Sequence, residues 1–352
     1  SQIADAVVEG AFVAGTDNQV ITVDGTRVMT EEEMKAYARG EELAGTEIVT
    51  DDLAKGDMME SVDGYVYIAI PVDVTEMAGQ TMTVFETLYA PDEDGTNKPV
   101  ASHEDLEDLA QTIRIPSIGT TAKAGELDEA DVYNADGTYR DITITDTVAY
   151  KNLWTQAELD VMAASAEGYG ITEKATYILK GVLMDKETGK ALRNAAGEEY
   201  VTYSEPFTPT ANDGTVDMTF TVNAGDFVAD GKSTLEGKTI VVFEDLYRVG
   251  TQEEAKEGTN HVGEHHDIED DEQDIRFPKV RTHAYDGIPE DVLANASGGY
   301  VDVLESLHAG EEHYTTHEVQ ADGTVTLTDY VAFENLHGGT QYKVTGTLQV
   351  VT

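Results

Sequence analysis

Five polar side chains stand in order along this chain, and their chemistry is complementary. Thr120 carries a hydroxyl, Gln273 an amide carbonyl and His265 a group that exchanges protons near neutral pH. Asp146 and Glu244 supply carboxyls that could orient or share that proton. A hydroxyl and a carbonyl with acid–base groups between them is the layout of acyl transfer. Here acceptor and donor both belong to the protein. Attack of the Thr120 hydroxyl on the Gln273 side-chain carbonyl would expel ammonia and leave an intramolecular ester.

Internal repetition is what singles these residues out. His103-Glu-Asp105-Leu-Glu-Asp108-Leu-Ala-Gln111 recurs as His265-His-Asp267-Ile-Glu-Asp270-Asp-Glu-Gln273, an offset of 265 − 103 = 162. Thr120-Thr-Ala122 returns as Thr282-His-Ala284 with the same offset, 282 − 120 = 162. Upstream, Val84-Phe85-Glu86-Thr-Leu-Tyr89 matches Val242-Phe243-Glu244-Asp-Leu-Tyr247. Thr145-Asp146-Thr-Val148-Ala-Tyr-Lys-Asn152-Leu153 matches Thr328-Asp329-Tyr-Val331-Ala-Phe-Glu-Asn335-Leu336. Three segments follow: a partial one at 1–115, a whole one at 116–278 and a partial one at 279–352. Only the middle segment holds all five residues. The first keeps Glu86, His103 and Gln111, and the last keeps Thr282 and Asp329. The choice of Thr120 over Thr121 rests on the alignment, since position 283 is His.

Strands must position this set. Val66, Ile68, Ile70 and Val72 alternate with other residues, as do Val216, Met218, Phe220 and Val222. Asp136-Gly137, Asp213-Gly214 and Asp322-Gly323 punctuate the strands as turn signals. Two short helices are predicted, opened by the capping-box patterns Thr30-Glu-Glu-Glu33 and Thr155-Gln-Ala-Glu158. The predicted fold is all-β: tandem Ig-like antiparallel β-sandwiches arranged as a rod, with short helical insertions.

Composition narrows the partners. The 352 residues hold 22 Lys plus Arg against 69 Asp plus Glu, so 22 − 69 gives a charge of −47. Such a surface repels a phosphate backbone and an anionic membrane. No apolar run reaches the roughly 20 residues needed to cross a bilayer. Neither end has the pattern of a signal peptide or sorting tail, so any such segment lies outside these residues. Cysteine is absent, which removes disulfides and thiol chemistry. A secreted chain without disulfides must draw its stability from another source.

The His-x-Asp-x-x-Asp-x-x-Gln block, together with Val-Val-Phe-Glu and Asp-Thr-Val-x-Tyr-x-Asn-Leu, resembles the Thr–Gln ester-bond domains of Gram-positive surface adhesins, also described as VaFE repeats. The resemblance implies a cross-link between Thr120 and Gln273, with Asp146, Glu244 and His265 assisting its formation. It implies the same roles for Glu86, His103 and Gln111, and for Thr282 and Asp329. The expected protein is a structural stalk segment of a cell-wall-anchored adhesin or fimbria-like protein, outside the cell. Catalysis would be single-turnover, so the chain is not an enzyme in the ordinary sense. Neither cofactor nor metal is expected. Partners would be neighbouring domains of the array, with a host ligand bound by domains outside these residues. On the residues alone, His265 is the first candidate for the base, with Asp146 orienting it or sharing the proton; the sequence does not rank the two as proton acceptor, and a buried Glu244 would donate to the oxyanion.

Other readings use the same residues. The run His265-His-Asp267-Ile-Glu-Asp270 could form a solvated loop or a weak Ca²⁺ site, which would make the chain a Ca²⁺-dependent ligand-binding module without a cross-link, and the acids from Asp267 to Asp274 are expected to face solvent apart from the named positions. A hydrolase acting on external esters would use the same His, Asp and Thr but needs an open pocket. The lone Trp154 reads as a packing anchor.

Overall fold

The computed structural model describes residues 61–125 (Val62 apart), 128–165, 174–285 and 327–350, with short stretches between 7 and 28 and at 323–324. Two compact units divide the chain, Ser1–Met77 and Ala78–Thr352. In the first, β1 (Gln19–Thr22) pairs antiparallel with β2 (Gly25–Val28) and parallel with β3 (Tyr67–Ile68). The alternation from Val66 to Val72 predicts a longer strand than β3, but Pro71 has no N–H with which to extend the ladder. The helix predicted after Thr30 lies outside the described residues.

The second unit opens with two antiparallel pairings. β4 (Thr81–Thr83) pairs with β7 (Thr112–Arg114), and β5 (Glu86–Pro91) with β6 (Asn97–His103). A three-stranded sheet follows, built from β8 (Ser117–Lys123), β9 (Asp141–Lys151) and β13 (Gly214–Asn223), with β9 central. Facing it is a sheet in which β10 (Ile178–Asp185) and β16 (Thr239–Tyr247) pair along eight residues. β11 (Lys190–Ala191) and β12 (Val201–Tyr203) flank β10, while β17 (His261–His265) and β18 (Ile275–Arg276) flank β16. β14 (Val228–Ala229) and β15 (Lys232–Ser233) form a small hairpin, and β19 (Lys279–Tyr285) pairs with β20 (Thr328–Glu334).

Alternation explains which side chains the sandwich hides. Ile142, Ile144, Val148 and Tyr150 of β9 are buried, while the intervening residues face outward. Ile240, Val242 and Leu246 of β16 share a core with them, together with Leu179, Leu183, Phe220, Val222 and Phe277. A one-residue slip of either strand would carry this whole stripe into water, so the register is firmly set. Gly181 lies opposite Glu244 and is the only residue type that fits: a Cβ there would meet Phe220 Cζ at 2.5 Å.

The helix predicted at Thr155 is present as α1 (Gln156–Ser165). Glu158 Oε2 accepts from Thr155 N at 3.0 Å and from its hydroxyl, and the Thr155 hydroxyl accepts from Glu158 N in return. A second helix, α2 (Gln252–Lys256), is capped in the same reciprocal way by Thr251 and Glu254. Trp154 is buried with the Arg114 guanidinium 4.3 Å from its ring centroid, and Arg114 also pairs with Glu158 at 2.7 Å. Gly137 adopts the positive φ its turn demands, whereas Asp213-Gly214 leads directly into β13 rather than closing a hairpin.

The repeat boundaries share one device. Asn152 and Asn335 both take positive φ, at 62° and 61°. Asn152 Nδ2 donates to Gln80 O at 2.6 Å, and its Oδ1 accepts from the Thr81 hydroxyl at 3.1 Å. Asn335 Nδ2 donates to Lys238 O at 2.6 Å, and its Oδ1 accepts from the Thr239 hydroxyl at 3.1 Å.

Candidate functional site

Four of the five residues reach the same dry space from different elements, and the part-exposed His265 borders it. β8 and β9 pair Ala122 with Asp146 and Thr120 with Val148, so Thr120 and Asp146 sit two positions apart on the inward face. Thr121 points the other way and is only partly buried. Glu244 comes in from β16 of the opposing sheet. Gln273 ends a 3-10 turn, Asp271–Gln273, whose first residues are held by the Asp270 side chain accepting from Glu272 N at 2.9 Å. That turn delivers the Gln273 amide inward, where nothing of it remains exposed.

Gln273 Nε2 contacts the Thr120 hydroxyl oxygen across 153 residues of sequence and donates to Glu244 Oε2 at 3.1 Å. Asp146, Glu244 and Gln273 are all fully buried and Thr120 almost so. Gln273 Oε1, Glu244 Oε1 and both Asp146 oxygens meet no donor at hydrogen-bond geometry. As two ionised carboxylates without donors, Asp146 and Glu244 would carry a steep desolvation cost, which a proton held by the pair relieves.

Burial decides the protonation. It pushes Glu244 up to about 10, and the neighbouring Asp146 charge adds to the effect. Burial also raises Asp146, against the opposing pull of Glu244, Thr120 and, at longer range, His265. Two carboxyls in one dry space cannot both ionise, so the pair retains a proton at neutral pH. A protonated Glu244 carboxyl in contact with the Gln273 amide is a donor available to an oxyanion that develops there.

His265 lies directly opposite Glu244 in the β16–β17 register. Its Nε2 meets Asp270 Oδ2 at 3.0 Å, so Asp270 orients the imidazole. Asp146, expected to orient His265 or to share its proton, rises from the other sheet beside Thr120 and Glu244. Asp270 was the residue sequence reasoning left without a part. The signal was present in the five-residue spacing from His265 to Asp270, repeated from His103 to Asp108, where the two side chains again meet at 2.9 Å.

The partial segments hold matching pieces. Gln111 Nε2 donates to Glu86 Oε2, and Glu86 lies opposite His103. Thr282 and Asp329 stand in the same register as Thr120 and Asp146, with Ala284 opposite Asp329 and Thr282 opposite Val331. Both are exposed. The acidic run is less solvated than its composition predicts: Asp274 is buried, held by Lys186 at 2.8 Å and Arg276 at 3.0 Å.

Comparison with known proteins identifies a family. The model of a family described as the T-Q ester bond containing domain matches residues 7–115, 116–277 and 278–352. No curated protein matches. Among solved structures, the chain is similar to a bacterial adhesin from Mobiluncus mulieris containing intramolecular disulfide, isopeptide and ester bond cross-links, seen in two crystal forms. Identity is 20% in both. In the P21 form the match covers 46% of this chain and 56% of the adhesin, with a TM-score of 0.33. In the P1 form it covers 48% and 59%, with a TM-score of 0.34. The chain therefore spans little more than half the length of those adhesin chains. Since the three matched segments run from residue 7 to residue 352, the chain belongs to the family of T-Q ester bond containing domains.

Proposed function

We propose that this chain is a segment of the stalk of an extracellular adhesin, and that its middle domain locks itself with an ester between Thr120 and Gln273. One observation carries the reading: a buried hydroxyl and a buried amide, 153 residues apart, in contact beside two fully buried carboxyls. The Thr120 oxygen attacks Gln273 Cδ, and the hydroxyl proton passes to the Asp146–Glu244 pair. The protonated member donates to the Gln273 oxygen as it becomes an oxyanion. Collapse of the tetrahedral intermediate breaks the Cδ–Nε2 bond, and the nitrogen leaves as ammonia with the proton lodged on the pair. His265, held by Asp270 beside Glu244, relays protons between this pair and the solvent-facing edge of β17. Exclusion of water then protects the product from hydrolysis. The domain makes one bond and stops.

The cross-link joins β8, the domain's first long strand, to the turn before its last. Tension applied at the domain ends would meet a covalent bond before the hydrogen-bond ladder. On a cell surface, anchored in a Gram-positive wall and ordered as a rod, such domains would carry load between the wall and a ligand bound elsewhere in the protein. Neighbouring domains of the array are the immediate partners, and the charge of −47 keeps crowded stalks apart.

An external substrate has no route to this site, since three of its five members are fully buried. A surface cavity of about 480 Å³ among the described residues is lined by Lys174, Thr176, Arg248 and Glu254, none of them from the five. The acidic run does not favour the Ca²⁺ reading: Asp267 accepts from Glu269 N, Asp270 holds His265, and Asp274 is paired with two cations. Intact-protein mass spectrometry tests the ester. The folded chain should weigh one ammonia less than its sequence for the middle domain, and Thr120→Val or Gln273→Met should restore that mass. A mature sample at full sequence mass would remove the mechanism.

A further inference from the structure

The outer face of the second sheet carries a cluster that the cross-link does not use. β16 alternates Phe243, Asp245 and Tyr247 outward while Glu244 points in. A β-bulge between Leu246 and Tyr247 shifts the register so that Tyr247 pairs with His261 while Asp245 pairs with Glu264. Three residues apart on a strand, His261 and Glu264 would ordinarily face opposite ways; the bulge puts them on one side. His266, next after β17, turns outward as His265 turns inward.

Three potential ligand atoms converge there. His261 Nε2 lies 3.1 Å from Asp245 Oδ1 and 3.8 Å from Glu264 Oε2. His266 Nε2 approaches the same Asp245 oxygen at 3.1 Å, and its Nδ1 lies 4.0 Å from Glu264 Oε2. The ligand atoms of Asp245, His261 and Glu264 fall within 4.8 Å of one another. A tetrahedral zinc shell with bonds near 2.0 Å has ligand-to-ligand edges of about 3.3 Å, which this spacing brackets. Both rings are braced: His266 stacks on Phe243 at 5.0 Å between centroids, and His261 leans on Tyr247 at 5.1 Å. Lys180 holds the other Asp245 oxygen at 3.0 Å and so fixes the carboxylate while leaving Oδ1 to the imidazoles.

The cross-link does not require this set, because it does not recur. In the first segment the same bulged pairing places Thr87 opposite Ser102 and Tyr89 opposite Pro99, and Glu104 follows His103. Glu86 and His103 of the ester machinery are retained there while every member of the outer cluster is replaced. The bulge is therefore a property of the fold, and the ligand set a property of this one domain.

We propose that Asp245, His261 and Glu264, with His266 beside them, form a zinc-binding site on the outer face of the middle domain. Mixed imidazole and carboxylate donors suit Zn²⁺ and its neighbours in the first transition row rather than Ca²⁺ or Mg²⁺. To take a metal ion, each imidazole would turn an Nε2 lone pair toward it and carry its proton on Nδ1. One neutral or cationic ring can donate to Asp245 Oδ1, but two rings aimed at the same oxygen, with Glu264 adding a second negative charge, leave a point where a divalent ion is the better occupant.

Titrating Zn²⁺ alone into the full chain by calorimetry, with excess Ca²⁺ to saturate the acidic surface, tests the site. One saturable equivalent is expected, with ¹⁵N shifts of the His261 and His266 rings moving together. His261→Ala should weaken binding by at least about tenfold, the range that outer-shell partners alone command. His103→Ala, on the first segment, should leave binding unchanged. His261 is part-exposed, so its loss spares the fold, and the ammonia-deficient mass of the variant verifies that the ester site is intact. Absence of a saturable equivalent, or binding undiminished in His261→Ala, overturns the proposal and leaves the cluster as an ionic hub around Asp245. The mass readout and the zinc readout are separate, so either proposal can fail alone.

Discussion

Replacing Thr120 with valine keeps a β-branched side chain in β8 while removing the only atom that could be esterified. If the ester exists, it closes a loop of 153 residues. Restricting an unfolded loop of that size contributes about 5 kcal/mol in the chain-entropy description. The matched middle segment has 277 − 116 + 1 = 162 residues, for which each kcal/mol moves the melting temperature by about 2–4 °C. Thr120→Val should thus melt about 10–20 °C lower, by scanning calorimetry of the full chain. Loss of a buried hydroxyl would by itself cost about 1–3 kcal/mol, so one variant does not isolate the bond. Gln273→Met, and the double variant, complete the test. Either single change abolishes the whole cross-link, so the double variant should fall little further than the worse single one. Full additivity of the two losses, or a Thr120→Val shift below about 2 °C, would mean that no covalent constraint is being removed.

Glu244 gives a pH signature in that unlinked background. Its folded pKa is raised to about 10 from an ordinary 4.5, so its favourable contribution is complete below pH 4.5 and is lost as pH climbs toward 10. Asp185, held low by Lys238 against the cost of burial, works in the opposite sense: its contribution is present at neutral pH and lost as acid protonates it. Urea midpoints of Thr120→Val should therefore peak in mildly acidic solution and decline through the alkaline range, and adding Glu244→Gln should flatten the alkaline decline; an unchanged slope refutes the assignment. His265→Ala should slow ester formation by about 10²-fold or more, followed by mass in freshly refolded protein, with Asp270→Asn slowing it less; wild-type rates in both would take the imidazole out of the mechanism. Gly181→Ala, whose Cβ would strike Phe220, should cost about 1–3 kcal/mol in denaturant unfolding, and a neutral result would show that the two sheets are not packed tightly there.

The sequence was most informative where repetition and alternation coincided. Thr145-Asp146-Thr-Val148 returns as Thr328-Asp329-Tyr-Val331, and that recurrence singled out Asp146, which lies inward on β9 in line with Ile142, Ile144 and Val148. Thr120 was separable from Thr121 by the same logic once the second copy offered Thr282 beside His283. The partners of His265 were not legible in this way. Whether a strand histidine meets Asp146 or Asp270 depends on which sheet each carboxylate rises from, and that is a tertiary fact. Asp274 was misread for a related reason: a run of acids looks solvated until two cations from separate strands, Lys186 and Arg276, close over one of them. The outer cluster around Asp245 escaped notice because a bulge broke the two-residue period on which strand patterns depend. Val66 to Val72 shows the converse, a good alternation that yields two paired residues because proline interrupts the ladder.

Asn152 and Asn335 deserve a last consequence. Each backbone is bent into a conformation that asparagine tolerates better than most residues, and each amide grips the same two positions of the preceding repeat. A junction copied in this way fixes one pivot angle twice over. The contacts made at one junction are thus inherited at the next, and a loss of the asparagine at either would free the same two backbone and hydroxyl partners.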